Sequence, residues 1–424
     1  MRILIVNTSE NVGGAAVAAN RLMEALNNNG VKARMLVMKK DTGCITVAQL
    51  PHPWLQRLHF LWERFVIYCR LHFTRHNLFA IDIANAGTDI TRLPEFREAD
   101  LIHLSWINQG MLSLADIRRI IRSGKPVVWT MHDLWPATGI CHYARQCPSF
   151  KTVCHHCRLL PAGGGRDDLS RRVWERKKAL YHNSNIHFVT CSRWLEGQAR
   201  QSALLTGQRV TAIPNPIDTR LFAPADKAQA RLGAQLPPSR RVILFVAHRV
   251  DDDRKGVAFF IEAVNRLADT IPHFADDTCV ALIGRNSDAV ASQLRVPAHA
   301  LGFVADEHQM ASVYSTADVF VLPSLEDNLP NTIMEAMACG VPCVGFRVGG
   351  IPEMIDHRAN GYVANFKDVA DLANGIQWVL GEADHEALAR AARAKVERSY
   401  AQSAVASRYI EVYNEMIAQK TYRI

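Results

Sequence analysis

Between Val319 and Ile355 the chain reads VFVLPSLEDNLPNTIMEAMACGVPCVGFRVGGIPEMI, and no other stretch constrains the fold as tightly. The apolar run Val319–Pro323 reads as a buried strand, since no polar position alternates with it to face water. An acidic loop containing a proline follows, and then a helix that opens at Asn331 and carries Glu335. Val341–Phe346 reads as a second strand, and Gly349-Gly350-Ile351-Pro352-Glu353 turns into a further helix. Strand, loop and helix repeated at this spacing make a parallel sheet covered by helices. In such a sheet the loops at the carboxyl ends of the strands form the ligand crevice, and helix N-termini there attract phosphate. One acidic loop beside one Gly-rich loop suits a sugar joined to a diphosphate. Carboxylates accept from sugar hydroxyls, and backbone N–H groups donate to phosphate oxygens.

The same alternation runs through both halves of the 424-residue chain. In the first half, Ile3–Val6 leads through Gly13-Gly14 into a helix ending near Gly30, and Arg34–Met38 follows as the next strand. Leu101–Leu104 and Val127–Met131 are later strands, with a helix over Leu114–Ser123 before the second. In the second half, Val242–Val246, Val280–Ile283, Val319–Leu322 and Cys343–Phe346 alternate with amphipathic helices. The pattern predicts two doubly wound α/β domains. Two prolines in Ile213-Pro214-Asn215-Pro216-Ile217-Asp218 restrict the backbone and mark the break. Val405, Tyr409, Val412 and Met416 have helical spacing in the tail.

Composition narrows the class. The 48% apolar content can supply two cores, and no run of eighteen apolar residues spans a membrane. The N-terminus enters a buried strand at once, with no signal-peptide core of useful length. Scattered cysteines indicate a reducing cytoplasm. The net charge of +8 is uneven: residues 1–215 hold 28 Lys and Arg against 15 Asp and Glu, while the remainder holds 21 against 26. A basic first half can face nucleic acid or anionic lipid. No helix-turn-helix or RNA-recognition motif accompanies it, which disfavours nucleic acid.

The residues that carry chemistry fall at strand ends. Asp327-Asn328-Leu329-Pro330 and Glu335-Ala336-Met337-Ala338 place an acid and a glutamate with seven residues between them. This stretch resembles the donor-binding core of the family-4 retaining glycosyltransferases, whose hallmark is E-G-F-P-x-x-x-x-E-A-x-A. Asp327 takes the first acidic position, one methylene shorter than the usual Glu, and the neighbouring Glu326 is a substitute for it. Arg249 and Lys255, in AHRVDDDRKGVAFFIEAV, resemble the family's G-R-x-x-x-x-K-G element. His248 stands where Gly is usual, and five residues rather than four separate Arg249 from Lys255, so Arg254 is an alternative at the shorter spacing. Fixed cations there suit a leaving diphosphate, whose negative charge develops in the transition state. Gly13-Gly14 fits the family's Gly-rich loop, although a tight βα turn needs such residues anyway. His132 closes the strand Val127–Met131, and the resemblance gives it the role of holding the hexose at the reaction centre.

The resemblance implies the GT-B fold: two Rossmann-like domains facing each other across a cleft, with the last helix crossing back to the first. The expected division is an acceptor-side domain over 1–215, a nucleotide-sugar-binding domain over 216–399, and a returning helix over 400–424. It implies glycosyl transfer with retention and no catalytic metal, through same-face displacement in which the leaving phosphate helps deprotonate the acceptor. A retaining hydrolase would need two carboxylates about 5–5.5 Å apart, and no convincing carboxylate nucleophile is present.

Two further features lie outside the donor motifs. Cys141, Cys147, Cys154 and Cys157 end in a CxxC and have the number of thiolates that encloses a structural zinc, with buried free thiols or a redox pair as alternatives. Such a Cys-rich loop, with Trp106-Ile107-Asn108, occurs in similar first domains among transferases that assemble bacterial surface polysaccharides. Residues 53–76 interleave Trp54, Phe60, Trp62, Phe65, Tyr68 and Phe73 with Arg57, Arg64, Arg70 and Arg75. An interfacial helix on anionic lipid has this composition, and so does a half-buried domain helix whose Arg stems cover apolar surface.

The sequence reading is therefore a cytoplasmic enzyme, peripheral on the inner membrane face, that moves a sugar from a nucleotide donor to a glycan or lipid-linked acceptor. Its rivals are a non-catalytic sugar-nucleotide binder of the same fold and a zinc-containing nucleic-acid-binding protein.

Overall fold

The computed structural model describes residues 1–182 and 184–421. The chain divides into two compact units, Met1–Asn215 with Val405–Ile424, and Pro216–Ala404. The expected returning segment 400–424 thus belongs to the first unit only from Val405, and its residues 422–424 lie outside those described.

The first unit is built on a seven-stranded sheet of β1 (Arg2–Val6), β2 (Lys32–Val37), β3 (Val47–Gln49), β4 (Leu101–Leu104), β5 (Val127–Met131), β6 (Ile186–Thr190) and β7 (Arg209–Ala212). Their order is β3-β2-β1-β4-β5-β6-β7, and every pairing is parallel. Period-two geometry divides β1 between two cores. Leu4 and Val6 join the cluster with Trp129, Trp135 and Phe188, and Ile3 and Ile5 join the opposite one. That opposite face is closed by the last helix, Gln402–Thr421, through Val405, Tyr409, Val412, Tyr413 and Met416. Two tyrosine hydroxyls on it reach polar groups buried in the sheet. Tyr413 meets His103 Nδ1 at 2.5 Å, Tyr409 meets Thr130 Oγ1 at 3.0 Å, and Thr130 meets His103 Nε2 at 2.8 Å. Burial pushes the His103 imidazole down to about 3, so it is neutral in this network.

The second unit holds six parallel strands, β8 (Arg241–Arg249), β9 (Thr278–Arg285), β10 (Ala298–Gly302), β11 (Val319–Leu322), β12 (Cys343–Phe346) and β13 (Gly361–Ala364). Their order, β10-β9-β8-β11-β12-β13, reverses direction between β8 and β11. A crevice opens at such a switch point because neighbouring connections leave on opposite faces. The first sheet has the same reversal between β1 and β4. Both sheets are doubly wound, as the alternation predicts. The strands β3, β6, β7, β10 and β13 are additional to those read from the sequence. β8 runs past the expected Val246 to Arg249, through a register irregularity between those two residues.

Tyr413→Ala should remove a fully buried ring and leave His103 Nδ1 without its hydroxyl partner. The expected cost is about 3–5 kcal/mol. In urea unfolding the transition of the first unit should shift to lower denaturant, while that of 216–404 stays in place.

Candidate active site

In the second unit the loops after β8 and β11 are joined by one short ion pair. Lys255 Nζ lies 2.6 Å from Asp327 Oδ2, and the two side chains are only 18% and 12% exposed. Ser324 Oγ donates to the same carboxylate oxygen at 3.3 Å. The backbone seals the contact, because Leu325 N donates to the Arg254 carbonyl at 2.8 Å. Two glycines allow the loops to close this far. Gly256, at φ +75°, would put a Cβ 1.9 Å from the Pro323 carbonyl oxygen, and Gly349, at φ +57°, would put one 1.7 Å from that of Asp327. Gly350 N then donates to the Asn328 carbonyl at 2.8 Å, which ties the β12 loop to the same place. Three loops from three adjacent strands therefore meet at Asp327-Asn328.

The helix Asn331–Ala338 starts from this junction. Its N-cap is Pro330, which offers no side-chain cap to the first-turn amides. Asn328, Leu329 and Glu335 are all buried. Glu335 Oε2 accepts from the Tyr314 hydroxyl at 2.7 Å, which fixes its orientation from the neighbouring helix Glu307–Ser315. Arg249 stands apart from this cluster. It is 61% exposed and grips Asp251, with Nε to Oδ1 at 3.1 Å and the terminal nitrogen to Oδ2 at 3.0 Å. Arg254, at the alternative spacing, bonds the Glu326 carbonyl and lies 3.5 Å from Asp252. A cavity lined by Pro224, Lys227, Cys339, His385 and Arg393 carries none of the expected donor residues.

In the first unit the corresponding edge is formed by β1, β4, β5 and β6. Gly13, at φ +93°, is the N-cap of the helix Gly14–Asn28 and has open space where a Cβ would stand. His132, half-buried at the end of β5, has Nε2 2.9 Å from Ser105 Oγ and Nδ1 3.4 Å from Cys191 Sγ. Loss of water holds its imidazole down to about 4, with Asp133 opposing. It is a neutral hydrogen-bonding ring at neutral pH.

Asp133 opens a chain of buried charges. Its Oδ2 accepts from Trp106 Nε1 at 3.0 Å and from His142 Nδ1 at 2.7 Å. His142 Nε2 lies 2.6 Å from Asp82 Oδ2, and Asp82 pairs with Arg64, which also faces Glu63 at 3.7 Å. Burial alone would lower His142, but Asp133 and Asp82 override it and hold the imidazolium up to about 10. Burial likewise pushes Glu63 up to about 7, with the charge on Asp82 adding to it.

The model for Glycosyltransferase Family 4 matches residues 12–221, and that for Glycosyl transferases group 1 matches 240–382. The chain belongs to the family-4 glycosyltransferases. Among curated relatives, an N-acetyl-alpha-D-glucosaminyl L-malate synthase of Bacillus anthracis is 25% identical over 49% of this chain and 54% of its own length. The chain spans about half the length of the curated relatives it matches first. Two solved structures share its GT-B fold. Sucrose-phosphate synthase from Thermosynechococcus elongatus superposes with a TM-score of 0.68 at 21% identity, over 99% of both chains. Anabaena Alr3699/HepE, in complex with UDP-glucose, gives 0.62 at 16% identity, over 98% of this chain and 100% of that one.

Within the family frame, several contacts were not visible in the sequence. Ser324 and Tyr314, which hold the two acids, belong to no spacing pattern. The chain Arg64–Asp82–His142–Asp133 joins residues far apart in the sequence. Lys177 is another such residue: fully buried, it donates to the Trp135 carbonyl at 2.6 Å and the Thr138 carbonyl at 3.1 Å, and burial lowers it to about 7. The four cysteines lie near enough to affect one another, and burial pushes Cys141 up to about 12 and Cys154 up to about 11. Among the described residues, no group of three or more His, Cys, Asp or Glu stands where it could hold a metal ion.

His142→Ala should leave Asp133 and Asp82 buried without their shared cation, a cost of about 3–5 kcal/mol at pH 7. A raised folded-state pKa means that the wild-type contribution is complete below about 6.5 and is lost as pH rises through about 10. The gap in stability between wild type and variant, read from urea unfolding, should therefore narrow between pH 7 and pH 10.

Proposed function

We propose that this chain is a retaining, metal-independent glycosyltransferase that moves a sugar from a nucleotide-sugar donor to a glycan or lipid-linked acceptor in polysaccharide biosynthesis. The observation that carries the reading is the Lys255–Asp327 pair at the switch point of the second sheet. An ammonium has three donors. One is given to Asp327, which leaves the group anchored and oriented while two protons remain for phosphate oxygens. The N-terminus of the helix Asn331–Ala338, whose N-cap Pro330 makes no side-chain cap, lies beside it, and a helix N-terminus favours phosphate. Alr3699/HepE, which shares the fold, has been solved with UDP-glucose, and this supports a donor of the same chemical class.

In this reading Lys255 stabilises the charge that develops on the departing diphosphate, and Asp327 holds Lys255 while its other oxygen faces the hexose. Glu335, locked by Tyr314, accepts from hydroxyls of the nucleotide sugar. His132 contributes a neutral imidazole that can donate to or accept from a sugar hydroxyl at the first sheet's edge, where Gly13 and Gly14 leave backbone accessible. Such a site works by orientation and electrostatics, with the leaving phosphate taking the acceptor proton. Arg249 joins the diphosphate site only by releasing Asp251, so its contribution is smaller than that of Lys255.

Lys255→Ala should lower kcat/KM for sugar transfer by about 30- to 1000-fold, or about 2–4 kcal/mol in the transition state, with the fold intact by circular dichroism. Asp327→Ala should come close to that loss because it frees Lys255, whereas Glu326→Ala should be nearly silent. Nucleoside diphosphate release from a panel of nucleotide sugars measures all three. Wild-type turnover in Lys255→Ala, or a silent Asp327→Ala beside a damaging Glu326→Ala, would contradict the assignment.

A further inference from the structure

The helix Pro53–Arg70 is inverted relative to an ordinary surface helix. Its buried residues are Gln56, Glu63, Arg64 and Ile67, three of them polar. Its opposite face carries Trp54, Leu58, Leu61, Trp62 and Phe65, all exposed, with Trp54 at 63%, Trp62 at 56% and Phe65 at 55%. Positions 54, 58, 61, 62 and 65 follow one helical stripe. Phe73 and Phe79, just beyond the helix, are exposed as well. Contiguous apolar surface of this extent marks an interaction site.

The inward face is anchored firmly enough to hold that stripe outward. Glu63 Oε1 accepts from the amides of Ile83 and Ala84 at 3.0 and 2.6 Å, and Arg64 donates to the Leu78 carbonyl at 2.7 Å and pairs with Asp82. Gln56 accepts from the Thr88 hydroxyl at 2.9 Å. Rolling the helix to hide its aromatic residues would expose and unpair these groups, and burying a charge without its partner is costly.

Charge identifies the occupant. Between residues 52 and 80 the only acid is Glu63, which is fully buried, so the segment exposes Arg57, Arg70 and Arg75 with no exposed carboxylate of its own. Tryptophan and phenylalanine bordered by arginine suit the headgroup–acyl boundary of a bilayer rich in anionic lipid. Among the described residues no helix is long and apolar enough to cross a membrane.

We infer that the stripe Trp54–Phe65 with its flanking arginines is a docking face for an anionic lipid surface, on which the helix lies parallel to the bilayer. Arg64 takes no part in it: at 6% exposure it serves the buried ion network, unlike the other arginines of the segment. The inference rests on the transfer reading only for its purpose, which is to bring the enzyme to a lipid-linked acceptor. The chain Arg64–Asp82–His142–Asp133 runs from the inward face of this helix to the residue next to His132.

Co-sedimentation of the full chain with phosphatidylethanolamine–phosphatidylglycerol vesicles tests it. Wild type should partition onto them, bind phosphatidylcholine vesicles less, and detach as salt screens the arginines. Trp62→Glu with Phe65→Glu should lower the partition coefficient by at least about tenfold with an unchanged unfolding midpoint. Arg57→Glu with Arg70→Glu should abolish the preference for anionic lipid. Wild type that stays in solution with anionic vesicles, or apolar-face variants that bind as it does, would overturn the inference. So would a wild-type dimer in solution that the same two substitutions dissolve, since the face would then belong to a second copy of the chain. Donor turnover is measured separately, so either reading can fail without the other.

Discussion

At the carboxyl edge of the second sheet, one carboxylate–ammonium contact, Asp327 with Lys255, joins two loops. The two residues lie on loops that leave strands β8 and β11, where the winding of the sheet reverses. Each loop alone would be an exposed charged turn. Together, at 2.6 Å and largely shielded from water, they fix each other's geometry. The contact depends on backbone closeness that only glycine allows, at Gly256 against Pro323 and at Gly349 against Asp327. Sequence, close approach and charge thus converge on one point, and a polar ligand placed there would meet an oriented cation, a held carboxylate and the N-terminus of a helix.

The first unit solves a related problem with a longer chain of charges. Asp133, His142, Asp82, Arg64 and Glu63 are all buried. Ionised groups in such a place stabilise little by themselves, but removing one strands its neighbours. The chain therefore acts as a constraint, holding the Pro53–Arg70 helix, the loop at Asp82 and the end of β5 in one arrangement. It also explains why that helix turns its polar residues inward and leaves an aromatic stripe outside.

Much of this could be read from the sequence. The long apolar strands announced themselves because a parallel sheet buries both faces, so Val319–Leu322 and Val127–Met131 carry no polar alternation. Short strands such as β3 and β13 did not, since their few residues look like any apolar fragment and gain their identity only from neighbours in the sheet. The segments 249–255 and 327–335 stood out through their resemblance to the family-4 motifs, and the structure joins them at Lys255 and Asp327. The contacts inside them were not legible: Lys255 meets Asp327, Arg254 takes the Glu326 carbonyl, and Arg249 turns to the nearby Asp251. Ser324 and Tyr314 escaped for the same reason as His142, because their partners are chosen by the fold. Arg64 is the sharpest example. By composition it belongs with Arg57 and Arg70, and only its burial against Asp82 separates it from them.

The most direct test of the account is amide hydrogen exchange of the wild-type protein with and without a nucleoside diphosphate sugar. Exchange should slow in 253–257, 324–333 and 348–351, the three loops that meet at Asp327. Unchanged exchange in those segments, with protection instead around the cavity lined by Pro224, Lys227 and Arg393, would contradict it.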